Sequence, residues 1–192
     1  MDVDAEHRKL VGPGKHVPTE QTGRGQSEGH VSATSSDAPE ILLERYLHQQ
    51  IPLSAAMGTR VRMATPERVQ LAAPLAPNVN HNETVFGGSA AALATLSAWS
   101  LLHLRLARAE LQARLVIQRS SMEYELPISG DFDAVCRFAD EPAWERFHAT
   151  LVRRGRARLT LTAYLVFDAQ RMATFEGDFV ALQRADMELQ RA

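Results

Sequence analysis

The chain has 192 residues, 45% of them hydrophobic and 23% charged, with a formal net charge of −2. These proportions fit one globular domain and give no general attraction to nucleic acid or to an anionic membrane. Cys136 is the single cysteine, which excludes an internal disulfide and a cysteine-built metal site and fits a reducing cytosol.

Residues 1–20 are too polar for the apolar centre of a signal peptide, so a cytoplasmic protein is expected. Residues 1–37 are rich in Gly, Ser, Thr, His and charge and poor in large apolar side chains. Such a segment cannot bury enough surface to offset its conformational entropy and is predicted to be disordered, with a docking or regulatory tail as the alternative. A folded domain is predicted over residues 38–184, followed by a short tail, 185–192.

Ile41, Leu42, Tyr46 and Leu47 recur at helical spacing behind Asp37-Ala38-Pro39-Glu40, which offers a cap, an early proline and an early acid. The helix should stop near Gln50, before Pro52. Two strands follow, Thr59 to Ala64 and Arg68 to Ala73, joined by a turn at Thr65-Pro66-Glu67. A loop over Pro74 to Glu83 leads into the longest apolar helical pattern, from Thr84 or Gly87 to about Arg108. Ser97, Ser100, His103 and Arg105 interrupt it, so no membrane span is expected. A helix apolar nearly all round is buried on most sides.

Strands are predicted at Ala113 to Tyr124 and Phe132 to Phe138, then an amphipathic helix from Glu141 to Arg154 ended by Gly155. Arg156 to Phe167 and Met172 to Leu182 alternate as a closing antiparallel pair. The order implies an α+β domain with an antiparallel sheet curled around one long central helix.

The stretch from Ala76 to Ser89 carries the chemistry. It sets Asn78, Asn80, His81, Asn82, Glu83 and Thr84 just before Gly87-Gly88, at the mouth of the buried helix. The first amides of a helix are unsatisfied and carry partial positive charge, and glycine lets a ligand approach the backbone closely. Such a place can hold an oxyanion. The same two glycines could equally serve tight packing of helix on sheet. His81, Asn82 and Glu83 lack metal-ligand spacing with other His or Asp residues, so no metal site is expected.

The element order and this turn resemble the hot-dog thioesterase superfamily, in which Asn, five residues, then His-Gly-Gly precede the central helix. Here Asn80, Gly87 and Gly88 match, and Phe86 stands where the pattern has histidine. More closely, Asn78-x-Asn80-x-x-x-Thr84-x-Phe86-Gly87-Gly88-Ser89, followed by Ser97-Ala98-Trp99, resembles the YiiD C-terminal-type hot-dog family. The likeness runs over roughly residues 39–184 and takes in Ile51-Pro52-Leu53-Ser54 and Arg119-Ser120-Ser121-Met122-Glu123-Tyr124. It implies a thioesterase-like enzyme or a malonyl-acyl-carrier-protein decarboxylase of fatty acid synthesis. It also implies a homodimer or higher homo-oligomer with sheets paired edge to edge and sites where subunits meet. The substrate would be a thioester of acyl carrier protein or CoA, bringing its own phosphopantetheine arm, with no separate cofactor.

Aryl-CoA thioesterases of the superfamily carry an acid nine residues after the histidine. That count from Phe86 lands on Thr95, and no acid lies between Glu83 and Glu110. Hydrolysis needs an activated water, which threonine does not provide. Decarboxylation of a malonyl thioester needs only donors that stabilise an enolate, which favours it here.

The expected roles are Asn80 as side-chain donor, the Gly87 and Gly88 amides as the rest of the oxyanion site, and Thr84 and Ser89 as orienting groups. Each has a plainer alternative: an Asx turn for Asn78 and Asn80, an N-cap for Thr84, packing for Ser89. Asn78, Phe86 and Trp99 are candidates to contact substrate, Trp99 either as core or as a wall of an acyl pocket. Glu83 is the one possible base, or a helix-dipole complement. His81 is either a proton donor or an exposed loop histidine. Cys136 reads as a buried packing residue. Arg153 and Arg154, with Arg156 and Arg158, are either a solvated edge or a docking patch for CoA phosphates or an acidic carrier. A thioesterase and a non-catalytic thioester-binding module remain the rival functions.

Overall fold

The computed structural model describes residues 37–183. The two predicted tails lie outside them, apart from Asp37. Helix α1 (Pro39–Gln50) and a short α2 (Pro52–Ala56) precede the strands β1 (Arg60–Ala64) and β2 (Arg68–Ala73). The long α3 (Gly87–Arg108), β3 (Ala113–Tyr124), β4 (Phe132–Arg137), α4 (Glu141–Arg154), β5 (Arg156–Phe167) and β6 (Gln170–Gln183) follow. The strands form one antiparallel six-stranded sheet in the order β1-β2-β4-β5-β6-β3.

The sheet wraps α3. Leu93, Leu101 and Leu102 on the helix meet Leu71, Leu165, Phe175 and Phe179 from the strands, all fully buried. Burial of each such side chain is worth about 1.5–3 kcal/mol. By length and composition α3 could cross a membrane, yet most of its apolar window is buried inside the fold. On β5 the inward residues Ala157, Leu159, Leu161, Ala163 and Leu165 alternate with outward Arg156, Arg158, Thr160 and Tyr164, the period-2 pattern of a half-buried strand.

One local reading needs correction. Asp37 does not cap α1: Ala38 is the N-cap, and the Asp37 carboxylate pairs with Arg45 at 2.9 Å. The helix ends at Gln50 as expected, but Pro52 then opens the unforeseen α2, whose Ser54 hydroxyl donates to the Ile51 carbonyl at 2.8 Å. For α4 the expected bounds and the Gly155 end hold, with Gly155 closing the helix at φ 69°; the structure adds an N-cap at Asp140, which accepts from the Ala143 N–H at 2.8 Å.

The two margins of the sheet differ. At β1, the carboxylates of Glu40 and Glu44 on α1 accept the backbone N–H groups of Ala64 (3.2 Å) and Val61 (2.9 Å). Burial opposes the charge on Glu44, but the Val61 N–H and Arg60 hold its carboxyl below the usual value. At β3 the twelve-residue strand pairs only with β6 among the described residues, and most of its side chains are exposed.

Candidate active site

The loop before α3 is built by its own asparagines. Asn78 is 1% exposed, and its side-chain amide donates to the carbonyls of Met57 (2.9 Å) and Pro74 (2.7 Å). It ties the loop to the end of α2 and cannot reach a substrate, which corrects the expectation that it touches one. Asn80 closes an Asx turn. Its Oδ1 accepts from the Asn82 N–H (2.7 Å) and the Thr84 N–H (3.3 Å). Its Nδ2 donates to the Thr84 hydroxyl (3.0 Å) and the Val85 carbonyl (3.3 Å). Both amide hydrogens are therefore spent inside the loop, which leaves Asn80 no free donor for a substrate in this geometry.

Thr84 is no N-cap. It closes the turn with Asn80, accepting from the Asn80 N–H at 2.8 Å, and α3 begins three residues later behind Phe86. Glu83 lies outside the helix as well, exposed at a turn tip with φ 60°, and His81 is exposed beside it. Neither borders the cavity described next.

The chain enters α3 under tight control: the Phe86 N–H donates to the Asn78 carbonyl (2.7 Å) and the Val85 N–H to the Ile128 carbonyl (2.8 Å). No side chain caps the helix start. The first bond there runs from the Ala90 N–H to the Phe86 carbonyl, so the N–H groups of Gly87, Gly88 and Ser89 have no partner among the described residues. Gly87 and Gly88 floor a cavity of about 480 Å³, walled by Val85, Ala90, Tyr124, Leu126, Ile128 and Ala173. It is apolar apart from those amides, a phenol and the flank of Glu125.

Two aromatic rings bracket the glycines. Phe86 is 58% exposed and lies over Gly88, where a β-carbon would fall 2.3 Å from its ring. Tyr124, at the end of β3, stands over Gly87: a β-carbon there would lie 3.3 Å from its Cζ and hydroxyl oxygen, and the hydroxyl donates to the Gly87 carbonyl at 2.8 Å. Burial pushes the Tyr124 phenol up from its ordinary value, so it stays a donor. Sequence reasoning missed Tyr124 and Glu125. The Glu125 carboxylate is turned away to Thr174 (2.8 Å) and Arg171 (3.1 Å). Only the Tyr-Glu pair's place at the end of a predicted strand hinted at either.

The remaining candidates are dispersed. Ser89 is half-buried one position past Gly88. Trp99 lies about 18 Å farther along α3, stacked with Tyr46 and His103 at ring separations of 6.0 and 4.9 Å. It therefore walls no pocket with Gly87. The Thr95 hydroxyl returns to the Ala91 carbonyl at 2.8 Å, so no base faces the helix start from there. Cys136 is buried as expected, donating to the Thr162 carbonyl, with its thiol pushed up to about 12 by burial. Arg153 and Arg154 end α4, and Arg154, Arg156 and Arg158 line a second hollow about 30 Å along β5 from the cavity. They make no ion pair among the described residues.

A six-stranded antiparallel sheet wrapped around one long helix, with a Gly-Gly pair opening that helix, defines the hot-dog class of thioester-processing folds. The chain belongs to the family described as "Putative thioesterase (yiiD_Cterm)", whose model matches residues 41–183. Among solved structures, a protein of unknown function from Chlorobaculum tepidum is 27% identical, with a TM-score of 0.72 over 76% of this chain and 94% of that one. A "putative thioesterase" from Shewanella oneidensis is 26% identical, with a TM-score of 0.67 over 74% of this chain and 96% of that one.

Proposed function

We propose that the chain decarboxylates a malonyl thioester carried by CoA or an acyl carrier protein, as a step serving fatty acid synthesis in the cytoplasm. One observation carries this reading: the unpaired amides of Gly87 and Gly88 floor an apolar cavity with no acid on the helix behind them. The thioester carbonyl oxygen would sit on those amides. The bond between the α-carbon and the carboxylate carbon breaks, carbon dioxide leaves, and the bonding pair passes into an enolate held by the same N–H groups. A proton from solvent then completes the acetyl thioester. A nearby carboxylate would repel the substrate's charge, and the geometry keeps Glu125 turned away. Asn80 and Thr84 act as positioning residues through the loop they close.

Partner and assembly follow the same logic. The outer edge of β3, unpaired among the described residues, fits a second copy of the chain. Antiparallel pairing of two β3 strands about the bulge at Gln118 sets Arg114 opposite the partner's Glu123 and Leu115 opposite the partner's Met122. It also sets Ala113 beside the partner's Tyr124. Ala113 and Arg114 line a hollow of about 670 Å³ at the far end of α3, and the pairing would join it to the partner's cavity. The arginine patch, remote from the cavity of its own protomer, would then flank the partner's. That suits CoA phosphates or an acidic carrier protein.

Incubation of the pure protein with malonyl- and acetyl-loaded CoA and carrier protein, followed by mass, tests the reading. The expected product is acetyl thioester from malonyl thioester. Release of free thiol would replace it with hydrolysis, for which Glu125, which borders the cavity, is the candidate acid. Retained but unchanged ligand would mark a binding module. Gly88→Ala keeps the N–H but puts a β-carbon 2.3 Å from the ring of the exposed Phe86, so the ring must turn away from Gly88, and the rate is expected to fall.

A further inference from the structure

The Tyr124 hydroxyl donates to the Gly87 carbonyl oxygen at 2.8 Å. That oxygen and the N–H of Gly88 belong to one planar peptide unit and point in opposite directions. A hydrogen bond accepted at the oxygen draws electron density along the amide and leaves the N–H proton more positive. It also fixes the plane, so the direction of the N–H is set as well as its strength.

We propose that Tyr124 is a positioning residue of this site, orienting and polarising the Gly88 N–H toward the thioester oxygen. The proposal rests on the reading of the cavity as an oxyanion site. The surroundings are arranged for it. Gly87 lacks the β-carbon that would crowd the phenol. The residues after Tyr124 are anchored, because the N–H groups of Glu125 and Leu126 both donate to the Met172 carbonyl, at 2.9 and 3.0 Å. The opposite side of the turn is held by the Val85 N–H on the Ile128 carbonyl. The ring thus reaches the helix start from a fixed strand end, and its hydroxyl is the one side-chain donor to the Gly87 oxygen among the described residues.

The size of the effect follows from its route. One bond in a chain strengthens the next by about a tenth to a third. A direct oxyanion donor is worth roughly two to three orders of magnitude in rate. A group acting through such a donor should therefore contribute about two- to tenfold.

Tyr124→Phe tests this, since it keeps the ring against Gly87 and removes only the hydroxyl. On malonyl-CoA we expect kcat to fall about two- to tenfold, KM to stay, and the pH profile to keep its shape. In 15N-labelled protein the Gly88 amide proton should move upfield more than any other in α3. Unchanged kcat with an unmoved Gly88 resonance would overturn the proposal. So would loss of a limb of the pH profile, which would make the phenol a proton carrier. If the wild type turns over no thioester, the reading of the cavity fails, and the Gly88 resonance still decides whether Tyr124 acts on that peptide.

Discussion

Asp168 and Ala169 close the β5–β6 hairpin with φ of 50° and 59°, between the paired residues Phe167 and Gln170. Two left-handed residues in a two-residue loop make a type I′ turn, whose second position favours glycine. A β-carbon in that region costs about 1 kcal/mol. Ala169→Gly is therefore expected to stabilise the protein by about 0.5–1 kcal/mol in urea unfolding, and a loss of stability would refute the turn assignment. The same scale shows where the sequence stops being legible. A polar loop before Gly-Gly announced a site, but an asparagine that donates to substrate and one that closes an Asx turn are the same letter. Asn78 and Asn80 proved to be loop builders because of the carbonyls within their reach. Tyr124 lies 37 positions from Gly87 along the chain, so only folding makes the two neighbours.

Elements were the most legible level, because periodicity is a property of the chain itself. The apolar repeat of α3, the alternation of β5, and the Gly155 end of α4 mark boundaries that the structure keeps within a few residues. The five-residue α2 escaped because one turn is too short to show a period. Contacts between elements were not visible at all. Arg105, on α3, is 8% exposed, with its guanidinium 4.0 Å from the Phe138 ring centre and 4.6 Å from that of Trp144. It bonds Glu141 at 2.7 Å and so fastens the end of α3 to the start of α4. Removing such a group forfeits packing, cation–π attraction and an ion pair together. Arg105→Ala is expected to cost about 2–4 kcal/mol in denaturant unfolding. A change under 1 kcal/mol would show that the arginine merely fills space.

For the whole molecule, Arg114, Arg156 and Arg158 gather at one end of the outer face of the sheet, and Glu123 and Glu176 lie toward the other, where Arg171 is paired with Glu125. In the proposed two-fold pairing each basic end meets an acidic end. Arg114→Glu should weaken the dimer by about 1–2 kcal/mol, roughly tenfold in Kd, and the double exchange R114E/E123R should restore it. Sedimentation of the three proteins checks this, and a wild type monomeric at micromolar concentration would end the proposal. Sequence alone could not suggest the register, because the bulge that aligns the two halves of β3 appears only in its pairing with β6.

The contrast between the two outer strands has a further consequence for growth. An assembly extended by adding strands needs a free acceptor on each side of every unit, and here α1 has occupied one of them with Glu40 and Glu44. In the proposed pair two β3 rims, each unpaired on its outer side among the described residues, would be joined and the rims held by α1 would face outward, so growth would end at a pair rather than run on into a fibre.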